Sequence, residues 1–408
     1  DKILRAQIKE ISLRESELLK IKNETEEIAA SLGKAIKRKK IRADVFVGGS
    51  LAKGTILRRE RYDIDIFVRF DRKYEEKKIS GLLGSLIGRA ERIHGSRDYF
   101  QIKKGRMTFE LIPVVKISKP KEMRNVTDLS YFHVSYIKKM TGKKRGLIDE
   151  ILLAKSFAFS QGVYGAESYI NGFSGYALEL LVCHYGSFLA FIRAMAKSKK
   201  DKIILDPEKH YKNSREVLSN MNEAKLESPI VFVDPTFKER NVLAALSEET
   251  FARFKNVCRK FLAKPSLKFF RTQEIKKKNF NFILQAETNK QEGNIAGSKL
   301  LKFYKFTENK LKIYFIIEGS EFEYLGGKGA VYYFKLKKRK EIIREGPPLA
   351  ALENVTAFRK KHKKTFVRKG RVYAREKVKL NARSFIKKFK IENKEVMKNM
   401  GIVGLSSA

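Results

Sequence analysis

The sequence has 408 residues, too many for one ordinary core, and 43% of them are hydrophobic, which excludes a mainly disordered chain and predicts several folded domains. A formal charge of +42 burdens a compact fold with self-repulsion, which a polyanion such as RNA or DNA relieves; lysine-rich compositional bias is the alternative source, so charge favours a nucleic-acid partner without deciding it. Cys183 and Cys258 lie far apart with no CxxC or zinc-type histidine spacing, and no uncharged run reaches membrane-spanning length, so a soluble, cytoplasmic protein without disulfides or structural zinc is expected.

From Lys2 to about Lys40, apolar residues recur at helical spacing (Ile8, Ile11, Leu18, Ile21, Ile28, Leu32) and predict one or two leading helices. Val45-Phe46-Val47 reads as a short buried strand, and Gly48-Gly49 ends it in a turn that brings backbone N–H groups to an anion, with Ser50 adding a hydroxyl and Lys53 a cation. In Asp63-Ile64-Asp65-Ile66-Phe67-Val68, period-two geometry puts Asp63 and Asp65 on one face and Ile64, Ile66 and Val68 in the core. Two carboxylates on one strand face repel each other unless a cation lies between them, and magnesium carrying substrate phosphates suits that role. A helix is expected near Ile79 to Ile93, and Met107 to Val114 forms a neighbouring strand with Glu110 as candidate third carboxylate. Lys119-Pro120-Lys121 closes this segment. From Ser130 to about Leu262 the periodicity is mostly helical, with a short strand at Ile230 to Val233. Beyond Pro265, strands at Lys310 to Ile317 and Ala330 to Leu336 alternate with basic helices. The expectation is an α+β multidomain protein with divisions at 1–138, 139–264 and 265–408.

The GGS turn followed by D-x-D resembles the signature of the polymerase-β-like nucleotidyltransferase superfamily, which uses a third carboxylate from an adjacent strand. Glu110 departs from the Asp that many relatives carry there. Further segments narrow the resemblance: Tyr131-Phe132-His133, Val163-Tyr164-Gly165-Ala166-Glu167, Gly172-Phe173-Ser174-Gly175-Tyr176, Tyr185-Gly186-Ser187-Phe188, Lys238-Glu239-Arg240-Asn241-Val242 and Phe366-Val367-Arg368-Lys369-Gly370-Arg371. Over nearly its full length the chain resembles class I archaeal-type CCA-adding enzymes. The resemblance implies a nucleotidyltransferase head, a mostly helical neck, an α+β body and tail, and an often dimeric assembly. It also implies addition of C, C and A to tRNA 3′ ends from CTP and ATP without a nucleic-acid template. Asp63, Asp65 and Glu110 would hold magnesium ions. Gly49, Ser50, Lys53, Ser130, His133, Lys155 and Tyr164 would bind the nucleotide, with Lys53 where relatives carry Arg. Arg240 would read the incoming base. Poly(A) polymerases and oligoadenylate synthetases share the head, and an RNA-binding protein with an inactive head is the alternative from another class. For the tRNA partner, the basic run Arg359 to Lys364 with Arg368, Lys369, Lys387 and Lys388 predicts phosphate contacts along the acceptor stem.

Overall fold

The computed structural model describes residues 2–198, 202–272 and 274–407. The chain divides into two compact units, residues 1–273 and 274–408.

The first unit opens with two helices, α1 (Lys2–Ile11) and α2 (Glu15–Arg38), as the periodicity predicts. A five-stranded sheet follows, built from β1 (Ala43–Val47), β2 (Tyr62–Phe70), β3 (Glu91–Ile93), β4 (Tyr99–Lys104) and β5 (Met107–Val115) in the order β1-β2-β5-β4-β3. A short helix, α3 (Gly49–Lys53), connects β1 to β2, and α4 (Glu76–Leu86) follows β2. The β2–β5 pair is parallel and the other pairs are antiparallel. Ile64, Ile66 and Val68 are fully buried against α2 and α4, each contributing roughly 1.5–3 kcal/mol of burial.

Two local expectations change here. Val45 to Val47 is half-buried rather than buried, because β1 is a sheet edge. The helix from Ile79 stops at Leu86, and Glu91 to Ile93 pairs with β4 as the opposite edge. Ile93 continues the helical spacing of Ile79 and Leu83, but an available strand partner overrides so short a pattern.

The rest of the unit is largely helical: α5 (Ser130–Lys143), α6 (Leu147–Ser160), α7 (Gly175–Tyr185), α8 (Phe188–Lys197), α9 (Ser214–Asn220), α10 (Glu223–Leu226) and α11 (Glu248–Ala263). A three-stranded sheet of β6 (Ile203–Leu205), β7 (Ile230–Asp234) and β8 (Phe237–Asn241) accompanies them. No single described helix is long and apolar enough to cross a membrane; the most apolar pair, α7 and α8, bends by 93° and belongs to this core. Phe157 centres the core against Phe188, Phe254, Phe261 and Phe270. Phe270 therefore packs in the first unit, beyond the division expected at residue 264.

The second unit contains β9 (Phe282–Thr288), α12 (Asn294–Tyr314), β10 (Phe315–Tyr324), β11 (Gly329–Lys338) and β12 (Glu341–Pro348). It continues through α13 (Leu352–Lys361), β13 (Thr365–Arg368), β14 (Arg371–Lys377), α14 (Ala382–Glu392), α15 (Lys394–Met400) and β15 (Ile402–Ser407). Its strands form the antiparallel sheets β10-β11-β9-β15 and β12-β14-β13. Lys310 to Tyr314, expected as strand, finishes α12 because Leu300, Phe303, Tyr304, Thr307 and Leu311 present one helical stripe to the core. Phe385 and Phe389 are core residues, while Phe358 lies against His362 and Phe366 stacks on Tyr373.

Candidate active site

The cleft forms where β1 hands over to α3 above the polar face of β2. Gly48 N–H donates to the Asp65 carbonyl at 2.9 Å, tying the turn to the carboxylate strand. Gly49 adopts φ +58°, and a Cβ there would stand 1.7 Å from Asp65 Oδ2. Glycine is thus required twice, for the left-handed backbone and for the close approach of Asp65. The parallel register sets Asp65 directly opposite Glu110 and Asp63 opposite Thr108. Glu110 lies between the buried Phe109 and Leu111 and accepts a 2.8 Å hydrogen bond from Gln101 Nε2.

Burial raises the pKa of all three acids, and like charge adds to the rise at Asp65 and Glu110. Burial pushes Asp65 up to about 6 against the pull of Lys53, and the Asp63 charge adds to the rise. Burial, then the Asp65 charge, pushes Glu110 up to about 7. Burial also raises Asp63, opposed by Arg59.

Lys53 and Lys155, the cations expected at the triphosphate, meet on Glu179 of α7. Lys53 Nζ donates to Oε2 at 2.6 Å, Lys155 Nζ to Oε1 at 2.7 Å, and the Thr55 hydroxyl to Oε1 at 2.6 Å. Burial would raise the Glu179 pKa, but Lys155 and Lys53 hold it down to about 2. Ser50 and Tyr164 line the same cleft, of about 280 Å³. Ser174 caps α7 by accepting from Ala177 N–H at 3.1 Å, and a Cβ on Gly175 would meet Tyr164 Oη at 2.8 Å. The GFSGY segment therefore starts the helix that carries Glu179 and makes room for Tyr164.

A second cluster adjoins through Tyr176, which lines the cleft and stacks on His133 at 4.1 Å between centroids. Asp234, fully buried at the end of β7, accepts from Arg240 Nη1 at 2.6 Å and stands 3.1 Å from His133 Nε2. Burial would raise Asp234, but His133 and Arg240 hold it well below the usual carboxylate range. Burial lowers the His133 pKa against the opposing pull of Asp234. The Arg240 guanidinium lies 5.9 Å from the Tyr176 ring centre, fixed on one arm and a quarter exposed. Ser130 stays apart from the cleft lining, its hydroxyl donated to the Thr127 carbonyl at 2.7 Å.

Sequence reasoning missed Thr55, Tyr176, Glu179 and Asp234 as site residues. Glu179 had a signal, since it is the lone charge in the apolar run Leu178 to Val182, which a buried helix tolerates only when the charge is paired. Asp234 had a weaker one, ending the fully buried strand Ile230 to Val233.

A glycine turn over paired carboxylates on a mixed sheet, with helices behind it, defines a polymerase-β-like nucleotidyltransferase. Residues 15–126 match the nucleotidyltransferase domain family, and residues 149–271 match the family described as tRNA nucleotidyltransferase, second domain. The CCA-adding enzyme of Nanoarchaeum equitans is 35% identical over 342 residues, spanning 81% of this chain and 83% of that one. The CCA-adding enzyme of Methanocaldococcus jannaschii is 27% identical over 402 residues, spanning 92% and 87%. Among solved structures, the poly(U) polymerase Cid1 superposes with a TM-score of 0.52 at 14% identity, over 67% of this chain and 98% of that one, a likeness of fold. The chain belongs to the archaeal-type CCA-adding enzymes and is a tRNA nucleotidyltransferase. Membership implies tRNA and nucleoside triphosphates as substrates.

Nucleotidyltransferases of this superfamily typically use a divalent metal. Among the described residues, no three His, Cys, Asp or Glu side chains converge tightly enough to grip an ion unaided. The donor set nonetheless fits a hard cation that takes few protein carboxylates and fills its shell with water and phosphate. The ionised forms of Asp65 and Glu110 are disfavoured by burial and by like charge, from Asp63 on Asp65 and from Asp65 and Asp63 on Glu110, and a divalent cation relieves both.

The Gly49 contact supports a direct prediction. Gly49→Ala should lower the rate of CMP incorporation about 100-fold, because displacing Asp65 by about an ångström misaligns the reacting groups. Single-turnover incorporation measures this, and a wild-type rate would mean that the approach of Asp65 to the turn is immaterial.

Proposed function

We propose that this protein adds C, C and A in turn to the 3′ end of tRNA from CTP and ATP, without a nucleic-acid template and with release of pyrophosphate. The observation that carries the reading is the opposition of Asp65 and Glu110 across the β2–β5 register, beside the Gly49 turn and the two lysines on Glu179. Asp63, Asp65 and Glu110 would hold magnesium; when bound, it lowers the pKa of the attacking 3′-hydroxyl and neutralises developing phosphate charge. Gly49 and Ser50 orient the triphosphate through the turn, and Lys53 and Lys155 neutralise its oxygens. Tyr164 closes the cleft wall. His133 and Asp234 orient Arg240, and Tyr176 offers an aromatic face beside it. Ser130 begins α5, which carries His133, and acts on the nucleotide through that helix. Residues up to about 138 serve as the head, the rest of the first unit as the neck, and the second unit, residues 274–408, as the body and tail. The tail engages the acceptor stem with groups such as Lys363, Lys364 and Lys388, which line one groove of the second unit. A cytoplasmic homodimer is the assembly we favour.

One pocket must then accept both C and A. Cytosine offers O2 and N3 and adenine offers N1, all acceptors, whereas uracil N3 and guanine N1 carry hydrogens. An arginine fork pairs with the first two bases and opposes the others, a mismatch of about 1–3 kcal/mol or roughly 5- to 150-fold per contact. The test is incubation of tRNA lacking its CCA end with the metal and each labelled nucleotide in turn. The expected outcome is C on the discriminator base and A only after CC. Arg240→Ala should reduce base selectivity by tenfold or more, and triphosphate affinity by less. ATP-only tailing without use of CTP would replace this reading with a poly(A) polymerase.

A further inference from the structure

Arg59 is a cation of the cleft that none of the roles above employs. It precedes β2 on the segment leaving α3, and its guanidinium carbon lies 3.9 Å from the centre of the Phe159 ring and 5.2 Å from that of Tyr164. Arg59 Nη2 is buried and has no hydrogen-bond partner among the described residues. Lys53 and Lys155 differ in this respect, since both are satisfied by Glu179. A buried donor without an acceptor is rare in folded proteins and calls for a partner that arrives with a ligand.

Its position narrows that ligand. Arg59 lines the catalytic cleft together with Asp63, and it also lines the adjoining groove that holds Arg58, Ser156 and Arg271. In the groove, Arg58 already pairs with Glu17, and Arg271 with Glu10. Arg59 thus stands on the wall shared by the two depressions, held flat by aromatic rings. A planar, pre-organised guanidinium in that setting is suited to bidentate contact with phosphate oxygens.

We propose that Arg59 is a substrate-binding residue that takes a phosphate oxyanion, supplied by the triphosphate of the incoming nucleotide or by the last phosphodiester of the RNA 3′ end. The proposal rests on the reading of the cleft as the site of nucleotidyl transfer. It adds a phosphate contact on the Asp63 side of the carboxylates, alongside the lysine pair beside Asp65.

The test uses the full chain with Arg59→Gln and Arg59→Lys. Calorimetry with CTP and with inorganic triphosphate, in the absence of tRNA, reads the nucleotide arm. Equilibrium binding of tRNA lacking its CCA end reads the RNA arm. Arg59→Gln should weaken one of these by about tenfold to a hundredfold, the range of a lost charge-assisted hydrogen bond. Arg59→Lys, which keeps the charge and loses the fork, should weaken the same one by less. Selective loss of triphosphate affinity assigns the nucleotide as source, and selective loss of tRNA affinity assigns the RNA. Unchanged affinity for both ligands overturns the proposal. Equal loss of both, with a lowered melting temperature, also overturns it, because that is the signature of a structural arginine. If Arg59→Gln does not fold, Arg59→Lys decides: a selective loss of about threefold or more sustains the proposal, and wild-type binding overturns it. Triphosphate binding is read without turnover, so failure of the wild-type protein to add CMP would refute the function above and leave this result standing.

Discussion

Asp65→Asn is expected to lower CMP incorporation by about 10³-fold or more while leaving the metal-free melting temperature unchanged or raised. The loss corresponds to about 4 kcal/mol of transition-state stabilisation, the scale of removing a carboxylate that holds a catalytic metal. The stability change has the opposite sign for a reason visible in the site. The folded-state pKa of Asp65 is about 6, above that of an unfolded aspartate. A raised carboxyl pKa contributes stability when protonated, below pH 4, and that contribution is lost as the pH rises through about 6. Near pH 7 the ionised carboxylate therefore burdens the metal-free fold by about 1–3 kcal/mol, and a neutral amide removes the burden. Thermal melts in chelator and single-turnover rates with metal measure the two halves. An inactive variant that also melts well below wild type would mean that Asp65 is structural, and near-normal incorporation would remove it from the metal site. Asp63→Asn should show a similar loss of activity.

Glu179→Ala should be the most destabilising change in the cleft. Glu179 is fully buried, and its removal leaves Lys53 and Lys155 without their shared counter-charge, at side-chain exposures of 9% and 3%. Breaking a buried ion pair from one side costs about 3–5 kcal/mol, which lowers the melting temperature of a unit this size by about 6–20 °C. Glu179→Gln keeps the shape and part of the hydrogen bonding and should cost less. Triphosphate brings its own negative charge to the same lysines, so CTP should raise the melting temperature of Glu179→Ala more than that of wild type. The pH dependence follows from the depressed pKa of about 2. Stability from Glu179 is complete above the unfolded glutamate value near pH 4 and falls away as the pH drops toward 2. A Glu179→Ala protein that melts like wild type would show that the lysines find other partners and that this ion cluster is dispensable.

The legible part of the site is the part made by neighbours in sequence. A period of two fixes which face Asp63 and Asp65 share, and Gly48-Gly49 can only be a tight turn next to them, so the β1–α3–β2 unit follows from local geometry. Glu110 was a candidate on pattern alone; its partner was decided by the parallel β2–β5 register, which no local signal specifies. The same limit hid the Glu91–Ile93 edge strand, whose existence depends on β4 being there to pair with.

Charge balance was decided at longer range still. Glu179 reaches Lys53 across 126 positions and Thr55 across 124, and Asp234 meets His133 across 101. Arg59 sits in the charged run Arg58 to Arg61, where sequence separates it from its neighbours by nothing at all. Residue type, turn chemistry and strand period act over a few residues, and so the sequence by itself determined the shared face of Asp63 and Asp65, the glycine turn and the family. Which cations are already neutralised, which acids share a water-poor pocket and which arginine faces the cleft unpartnered depend on desolvation and on contacts between distant segments. Only the tertiary structure decided these, because a charge acquires its pKa and its partner when the chain around it excludes water.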